Sequence, residues 1–553
     1  MASHDWPALL ASLTRRVPSV SPGRDDWPAL LTSLTRRIGE LEMLGEPAPA
    51  SIVAQLEGLA ERAARTRSSS RRFIAVERRH IFPLLDLPDR VVTSVFSWLS
   101  AVQLAGVQTV CKAVPELSSV AVNMRVMRLG QVLPHLQPGE TLTHALHHAE
   151  LLAVHEPPTI AAGEAHTLMV SAEGTLLSCG GDFVDDDQTL PFVGHLGHGV
   201  EWGKEGEAVM RPTPVRLPLG VRPLSVCAGG YISLMICAAT REVYSWGGYG
   251  AGQGAAGNVP QPAKLPSLAG VRVAMLACGS QHILILTAEG EVHASGRNEG
   301  GELGVGDERA RTTPARVDSL PLTSRVCAVG AGGSHSLAIT ASGELLTWGH
   351  GGAGRLGHGD QRRQVLPKRV DALHATHTRL AAGGGTHSLF VSGEHLFSCG
   401  YNGDGRLGLG QPDSGVFKPT AVAFFDGRGP LRAIACGDHH SVALLERSGE
   451  VYTWGRGDDG RLGLGDEGFR AIPTLVPHLA AQIVEIVAGS DHTIVRRADG
   501  KIFSWGSGAE GQLGHGECQN RFRPMPLEQV VGTKRRTKLS SWDVSPRASA
   551  LAC

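Results

Sequence analysis

Through the last two thirds of the chain the apolar positions fall in short runs of aliphatic, β-branched and aromatic residues, and glycine ends each run before a helical stripe can form. Ser441 to Leu445 and Val451 to Trp454 are two such runs. Between them Ser448-Gly449 supplies the tolerance of positive φ that a tight hairpin needs, so the pair predicts two antiparallel strands. The same turn glycine recurs as Gly174, Gly290, Gly343, Gly393 and Gly500. After the second run every copy reaches a terminating glycine: Gly180, Gly247, Gly296, Gly349, Gly400, Gly455 and Gly506. L-G-x-G then begins at Leu196, Leu303, Leu356, Leu407, Leu462 and Leu513, while the second copy, with Gly252 to Gly257, lacks the leucine. A proline-led segment follows (Pro214, Pro262, Pro314, Pro367, Pro419, Pro473, Pro524) and a further strand leads into the next copy, which makes about four strands per repeat.

The period is set by His166, His282, His335, His387, His440 and His492, each three residues after a glycine, with Ile232 in the histidine's place in the second copy. Successive copies are 66, 50, 53, 52, 53 and 52 residues apart, so the first carries a long insertion. Four short strands cannot bury both faces alone; neighbouring units must stack, and seven close into a β-propeller. A strand from Pro524 to Val530 pairing with the first copy is expected to seal the ring.

These signatures, A-G-x-x-H-[ST]-[LIV], then G-x-[LV]-[YFL]-[ST]-[WC]-G, then G-x-L-G-x-G, resemble the regulator of chromosome condensation repeat family over about Thr159 to Val531. Kelch repeats share the period but carry paired glycines ahead of spaced tyrosine and tryptophan, which is a different pattern. The expected fold is mainly β: a seven-bladed β-propeller at 158–531, preceded by a small α-helical F-box-like region.

Upstream, 1–80 reads as a helical or disordered region built on a tandem duplication. Residues 5–16, D-W-P-A-L-L-A-S-L-T-R-R, return at 26–37 with only Ala11 changed, to Thr32. Each copy has an acidic N-cap, a proline in the first turn and leucines on one helical face. Arg62 to Arg79 holds seven arginines against one glutamate, Glu77, and reads as a linker. Short basic runs such as this stretch and Lys534 to Lys538, in the basic tail 532–553, are more often merely exposed than docked on acidic partners or a nuclear import receptor.

At 81–130, F-P-L-L-D-L-P-D-R-V-V-T-S-V-F-S-W-L-S-A-V-Q-L-A-G-V-Q-T-V-C-K (Phe82 to Lys112) resembles an F-box. Asp86 or Asp89 can cap a helix whose stripe is Val91, Val92, Val95, Phe96 and Leu99, and Leu104, Val107 and Val110 continue on a second. The tryptophan usual after V-C-K is missing and Pro115 intrudes. The resemblance implies that Leu87, Pro88, Val91, Val95, Phe96, Leu99, Leu104 and Val110 bind the Skp-type adaptor of a cullin ubiquitin ligase. A helical linker is expected at 131–157, within a candidate helical stretch from Ala121 to Leu152.

Composition narrows the function. The 71 glycines belong to the repeat, and a net charge of -1 at pH 7 predicts neither a nucleic-acid nor a membrane surface. Ten cysteines without C-x-x-C, six of them in strand positions (Cys179, Cys227, Cys278, Cys327, Cys399, Cys436), imply a reducing compartment. No apolar run is long enough for a bilayer and the amino terminus makes a poor secretory signal, so a soluble cytoplasmic or nuclear protein is expected.

Several motifs look chemical without the context chemistry needs. Gly352 to Gly357 and Gly403 to Gly408 both spell G-x-G-x-x-G, but they recur with the repeat and lead to a strand, where a dinucleotide site needs a helix. The six histidines, one per blade, stand around a ring and not about one ion; their expected role is hydrogen bonding to backbone of the same or adjacent blade. Trp246, Trp348, Trp454 and Trp505, each before a terminating glycine, are expected in blade cores. A light-sensing branch of the family carries G-W-R-H-T with clustered tryptophans. Here the matching pairs are Glu164-Ala165, Ser280-Gln281, Gly333-Ser334, Gly385-Thr386, Asp438-His439 and Ser490-Asp491, so no chromophore is expected.

No nucleophile with a base and no paired carboxylates stand out, and no metal or cofactor is expected. Some family members carry a HECT ligase domain, for which the roughly 20 residues after the last repeat leave no room. The expected function is a non-catalytic substrate receptor of a Skp/cullin/F-box ligase, with the propeller holding the target. Candidate contacts are the residues that break the repeat: Asp182, Asp185, Asp186, Asp187, Glu201, Trp202 and Lys204 in the insertion, then Arg297, Tyr401, Arg456, Asp458 and Asp459 after second runs. Two alternatives stand: nucleotide exchange on a Ran-like small GTPase, which in the family's founding member uses a wedge in the third blade, here of ordinary length; or a scaffold without ubiquitin chemistry.

Overall fold

The computed structural model describes residues 145–149, 152, 157–181, 194–199, 208–248, 250–254, 258–320, 325–479 and 482–528. The chain divides into two compact units, Met1–Val154 and His155–Cys553. In the first, residues 145–149 and 152 are described and are helical. The tandem duplication, the arginine-rich linker and the F-box-like positions lie outside the described residues, as does Lys534 to Lys538.

The second unit is a seven-bladed propeller whose described residues form seven four-stranded antiparallel sheets, each in meander order. Blade one consists of Ile160–Ala162, His166–Val170, Leu176–Gly180 and Val209–Pro214. Blade seven consists of Ile483–Ala488, His492–Arg497, Ile502–Gly506 and Arg521–Pro526. Each blade is one uninterrupted stretch of chain, which corrects the expected seal. Arg521–Pro526 pairs inside its own blade, with Pro526 opposite Phe503, and does not pair with blade one. The slot it would have taken is filled by Ile160–Ala162, a three-residue strand just upstream of the first Gly-x-x-His.

Burial explains the sequence pattern. The second strands Ile232–Cys237, His282–Thr287, His335–Thr340, His387–Ser392 and His440–Leu445 are buried at every position. Adjacent blades cover both of their faces, so they read as continuous runs and not as alternation. Fourth strands are sheet edges and accept proline because one side of the backbone has no ladder partner. In blade one that proline is Pro212 and not Pro214: a Cβ on Gly514 would meet Pro212 Cδ at 3.2 Å, as one on Gly357 would meet Pro419 Cδ at 3.2 Å. The hairpin glycines adopt the expected left-handed φ, 77° at Gly174 and 67° at Gly449, but blade two puts Arg241 there at 60°.

Six of the seven blade junctions share a polar clasp. His387 Nε2 lies 2.9 Å from Ser441 Oγ in the next blade, and Ser441 donates 2.8 Å to the Arg406 carbonyl of the histidine's own blade. His282 with Ser336, His335 with Ser388 and His440 with Thr493 repeat it, as do His166 with Ser233 and, closing the ring, His492 with Thr167. The expected backbone partner is thus reached through a side-chain hydroxyl. Because that hydroxyl proton goes to a carbonyl, the histidine must donate from Nε2, which fixes its tautomer. Gly-x-x-His follows from packing: a Cβ on Gly437 would sit 2.3 Å from the His440 ring and 2.5 Å from the Gly489 carbonyl.

The four tryptophans are fully buried, and three also bond the preceding blade. Trp246 Nε1 donates 2.8 Å to the His195 carbonyl, Trp348 2.8 Å to Glu302, and Trp505 3.0 Å to Arg461. Where the residue is cysteine the thiol takes the same direction, Cys179 to Gln512 and Cys399 to Arg355, each at 3.5 Å. At the axis a circle of backbone hydrogen bonds runs from blade to blade, ending with Ser490 N to the Gly163 carbonyl at 3.3 Å between blades seven and one.

Candidate functional site

Strand register decides which loops share a face. His440 is opposite Gly455, and His166 opposite Gly180, so the Gly-x-x-His loop and the loop after the third strand emerge together while the hairpin turns emerge at the other end. Arg297, Arg456, Asp458 and Asp459 follow third strands and Tyr401 is at the end of the third strand His395–Asn402, so all five lie on this one face. The insertion candidates Asp182, Asp185, Asp186, Asp187, Glu201, Trp202 and Lys204 belong to the corresponding connection of blade one and lie outside the described residues. At the centre of the face a cavity of about 140 Å³ is lined by the axial glycines.

Four of the five described candidates are gathered by two arginines that sequence reasoning did not single out. Arg406 is 2% exposed. One of its nitrogens donates to Thr386 Oγ1 at 2.8 Å and to the Asp438 carbonyl at 2.9 Å; the other meets the Asp404 carboxylate and His439 Nδ1, the latter at 3.0 Å. Its guanidinium stands 4.9 Å from the ring centroid of Tyr401, a residue that is 39% exposed. Accepting from an arginine leaves His439 Nδ1 unprotonated, and burial lowers its pKa further.

Arg461 does the same one blade on. Its Nε donates 2.8 Å to the Asp458 carbonyl, and its two terminal nitrogens pair with Asp459 at 2.9 Å and with Asp491. Asp459, at a left-handed φ of 58°, also accepts from Asn520 of blade seven at 3.0 Å. Asp458 in turn holds Arg456, whose Nε lies 2.6 Å away. Arg297 is apart in blade three, paired with Glu299. The signal for the buried arginines was G-R-L-G at Arg355, Arg406 and Arg461, the letters that also spell the misleading phosphate motif. Gly352 to Gly357 indeed connects the strand Leu345–Gly349 to the strand Gln364–Arg369.

The sector from blade five to blade seven thus sets the carboxylates of Asp404, Asp458, Asp459 and Asp491 and the carbonyl of Asp438 against Arg406, Arg456 and Arg461. Its arginines are committed internally, and it offers an aromatic ring and carboxylate edges to a partner. Among the described residues no cluster of histidine, cysteine or carboxylates is arranged to hold a metal.

Residues 192–544 match the family model described as RCC1-like domain. The human E3 ubiquitin-protein ligase HERC2 is 36% identical over 378 residues, 66% of this chain but only 8% of that protein. The ultraviolet-B receptor UVR8 of Arabidopsis thaliana is 32% identical over 344 residues, 61% of this chain and 76% of the receptor. Among solved structures, Prp20p of Saccharomyces cerevisiae, described together with its binding to Gsp1p and histones, superposes with a TM-score of 0.52 at 26% identity, covering 61% of this chain and 81% of Prp20p.

Proposed function

The chain belongs to the RCC1-like domain family, and from that premise we propose that it is a non-catalytic protein-interaction subunit whose Gly-x-x-His face receives a protein partner. The observation that carries this reading is the fixing of Tyr401, Arg456, Asp458 and Asp459 on one face by the buried guanidiniums of Arg406 and Arg461. Residues that break the repeat, held rigidly where the repeat itself needs nothing, are what a recognition surface requires.

The finer proposal is that the F-box-like positions Leu87, Pro88, Val91, Val95, Phe96, Leu99, Leu104 and Val110 dock a Skp-type adaptor, making the chain the substrate receptor of a cullin ubiquitin ligase in the cytoplasm or nucleus. A relative of its propeller named as a ubiquitin-protein ligase supports the setting. Pull-down of a Skp-type adaptor by wild type, and its loss in L87D and F96D, tests it. Retention by both variants leaves the scaffold reading. Capture of the target itself should fail in Y401A/R456A while adaptor binding persists.

Nucleotide exchange on a small GTPase is the second reading, favoured by the likeness to Prp20p and its described binding to Gsp1p. Accelerated release of labelled GDP from a purified Ran-like GTPase would establish it, and an unchanged rate would remove it.

A further inference from the structure

The junction between blades two and three has no histidine clasp. Ile232 stands for the histidine and Ile283 for the hydroxyl, and both are buried in one apolar cluster. At the axial end of this junction the inner strands Pro223–Ala228 and Val273–Cys278 run side by side. Cys227 and Cys278 pack against the same cluster, and burial, reinforced by the neighbouring Cys227 thiol, pushes the Cys278 thiol well above its ordinary range. The two strands end close together: a Cβ on Gly229, two residues beyond Cys227, would stand 3.2 Å from the Cβ of Cys278. Both cysteines are only partly buried, and Cys278 lines the axial cavity, which admits a small solute.

We propose that Cys227 and Cys278 form a reversible disulfide, made by a small peroxide entering from the axis, that covalently staples the one junction lacking the histidine clasp. The chemistry balances. The Cys227 thiol, as thiolate, attacks the peroxide oxygen, taking one oxygen as a sulfenic acid and releasing hydroxide. The second thiol then attacks that sulfur, forming the S–S bond and expelling water, so two thiols and one hydrogen peroxide give one disulfide and two waters. A thiol reductant reverses it. Cys436 has the strand position of Cys278 in blade six, but its thiol donates to the Ala382 carbonyl at 3.7 Å, backbone standing where blade two has Cys227, and it serves as a control.

The test is peroxide treatment of the reduced full-length protein, alkylation of remaining thiols, digestion without reductant and mass spectrometry. The expected product is a linked peptide pair joining Cys227 to Cys278, two hydrogens lighter than the separate peptides and lost on adding dithiothreitol. Oxidation should raise the Tm of wild type and of C436S by a few degrees, and leave C227S and C278S unchanged. Both cysteines recovered alkylated, both ending as separate sulfinic acids, or an equal Tm rise in C227S would overturn the proposal.

Discussion

The carboxylate of Glu485 in blade seven accepts the backbone N–H of Thr159 at 2.7 Å and its hydroxyl at 2.8 Å, across 326 residues of sequence. Ile160 N adds a third bond at 3.1 Å, and Arg496 fixes the acid from its own blade at 2.8 Å. With the His492–Thr167 clasp, this joins the last blade to the first.

E485A should therefore destabilise the ring by roughly 2–3 kcal/mol, because it strips a charged acceptor from two backbone donors and a hydroxyl at once. Urea unfolding followed by tryptophan fluorescence measures it. A loss under about 0.5 kcal/mol would mean that water replaces the carboxylate without penalty.

The two halves of a clasp should prove coupled. S441A leaves the His387 Nε2–H buried without an acceptor and is expected to cost about 1–3 kcal/mol, whereas H387I/S441I, copying the blade two and three junction, should cost less than the sum of its single changes. A double-mutant cycle reads the coupling directly.

Acid should open the ring before ordinary carboxylates titrate. Burial lowers the pKa of His282 and His492 to about 4, and pushes His166, His335, His387 and His440 well below their ordinary value. The unfolded chain then binds more protons than the folded one below about pH 6.5, so stability is complete above that pH and falls as pH drops toward 4. Each histidine contributes at most about 1.4 kcal/mol per pH unit in that window. Urea midpoints should decline steadily from about pH 6.5 to 5; a flat profile there would contradict neutral buried imidazoles.

R241G should stabilise blade two. The left-handed φ of 60° strains a residue with a Cβ by about 1–2 kcal/mol, and the entropy that glycine adds to the unfolded chain offsets about half of that. A net gain of about 0.5–1 kcal/mol is expected in chemical denaturation.

The blade frame was legible because its determinants are local: a glycine three residues before each histidine, a glycine ending each third strand, and a proline on each outer edge. The pairings between blades were not legible. Ile232 was visible as an exception, but its counterpart Ile283 is 51 residues on and becomes meaningful only once the histidine of one blade is known to seek the hydroxyl of the next. Arg406 and Arg461 were hidden for the same reason: their partners Asp438, His439 and Asp491 come from the following Gly-x-x-His loop, about 30 residues away in sequence and adjacent only after stacking. The misplaced seal had a simpler cause, since Ile160–Ala162 is too short to show a period.

Since every sheet is folded from consecutive residues, and blade seven meets blade one through the same kind of hydrogen bonds that join interior neighbours, the fold has no privileged starting point. Circular permutants that join 528 to 157 by a flexible tether and open the polypeptide between any two blades should assemble into the same disc.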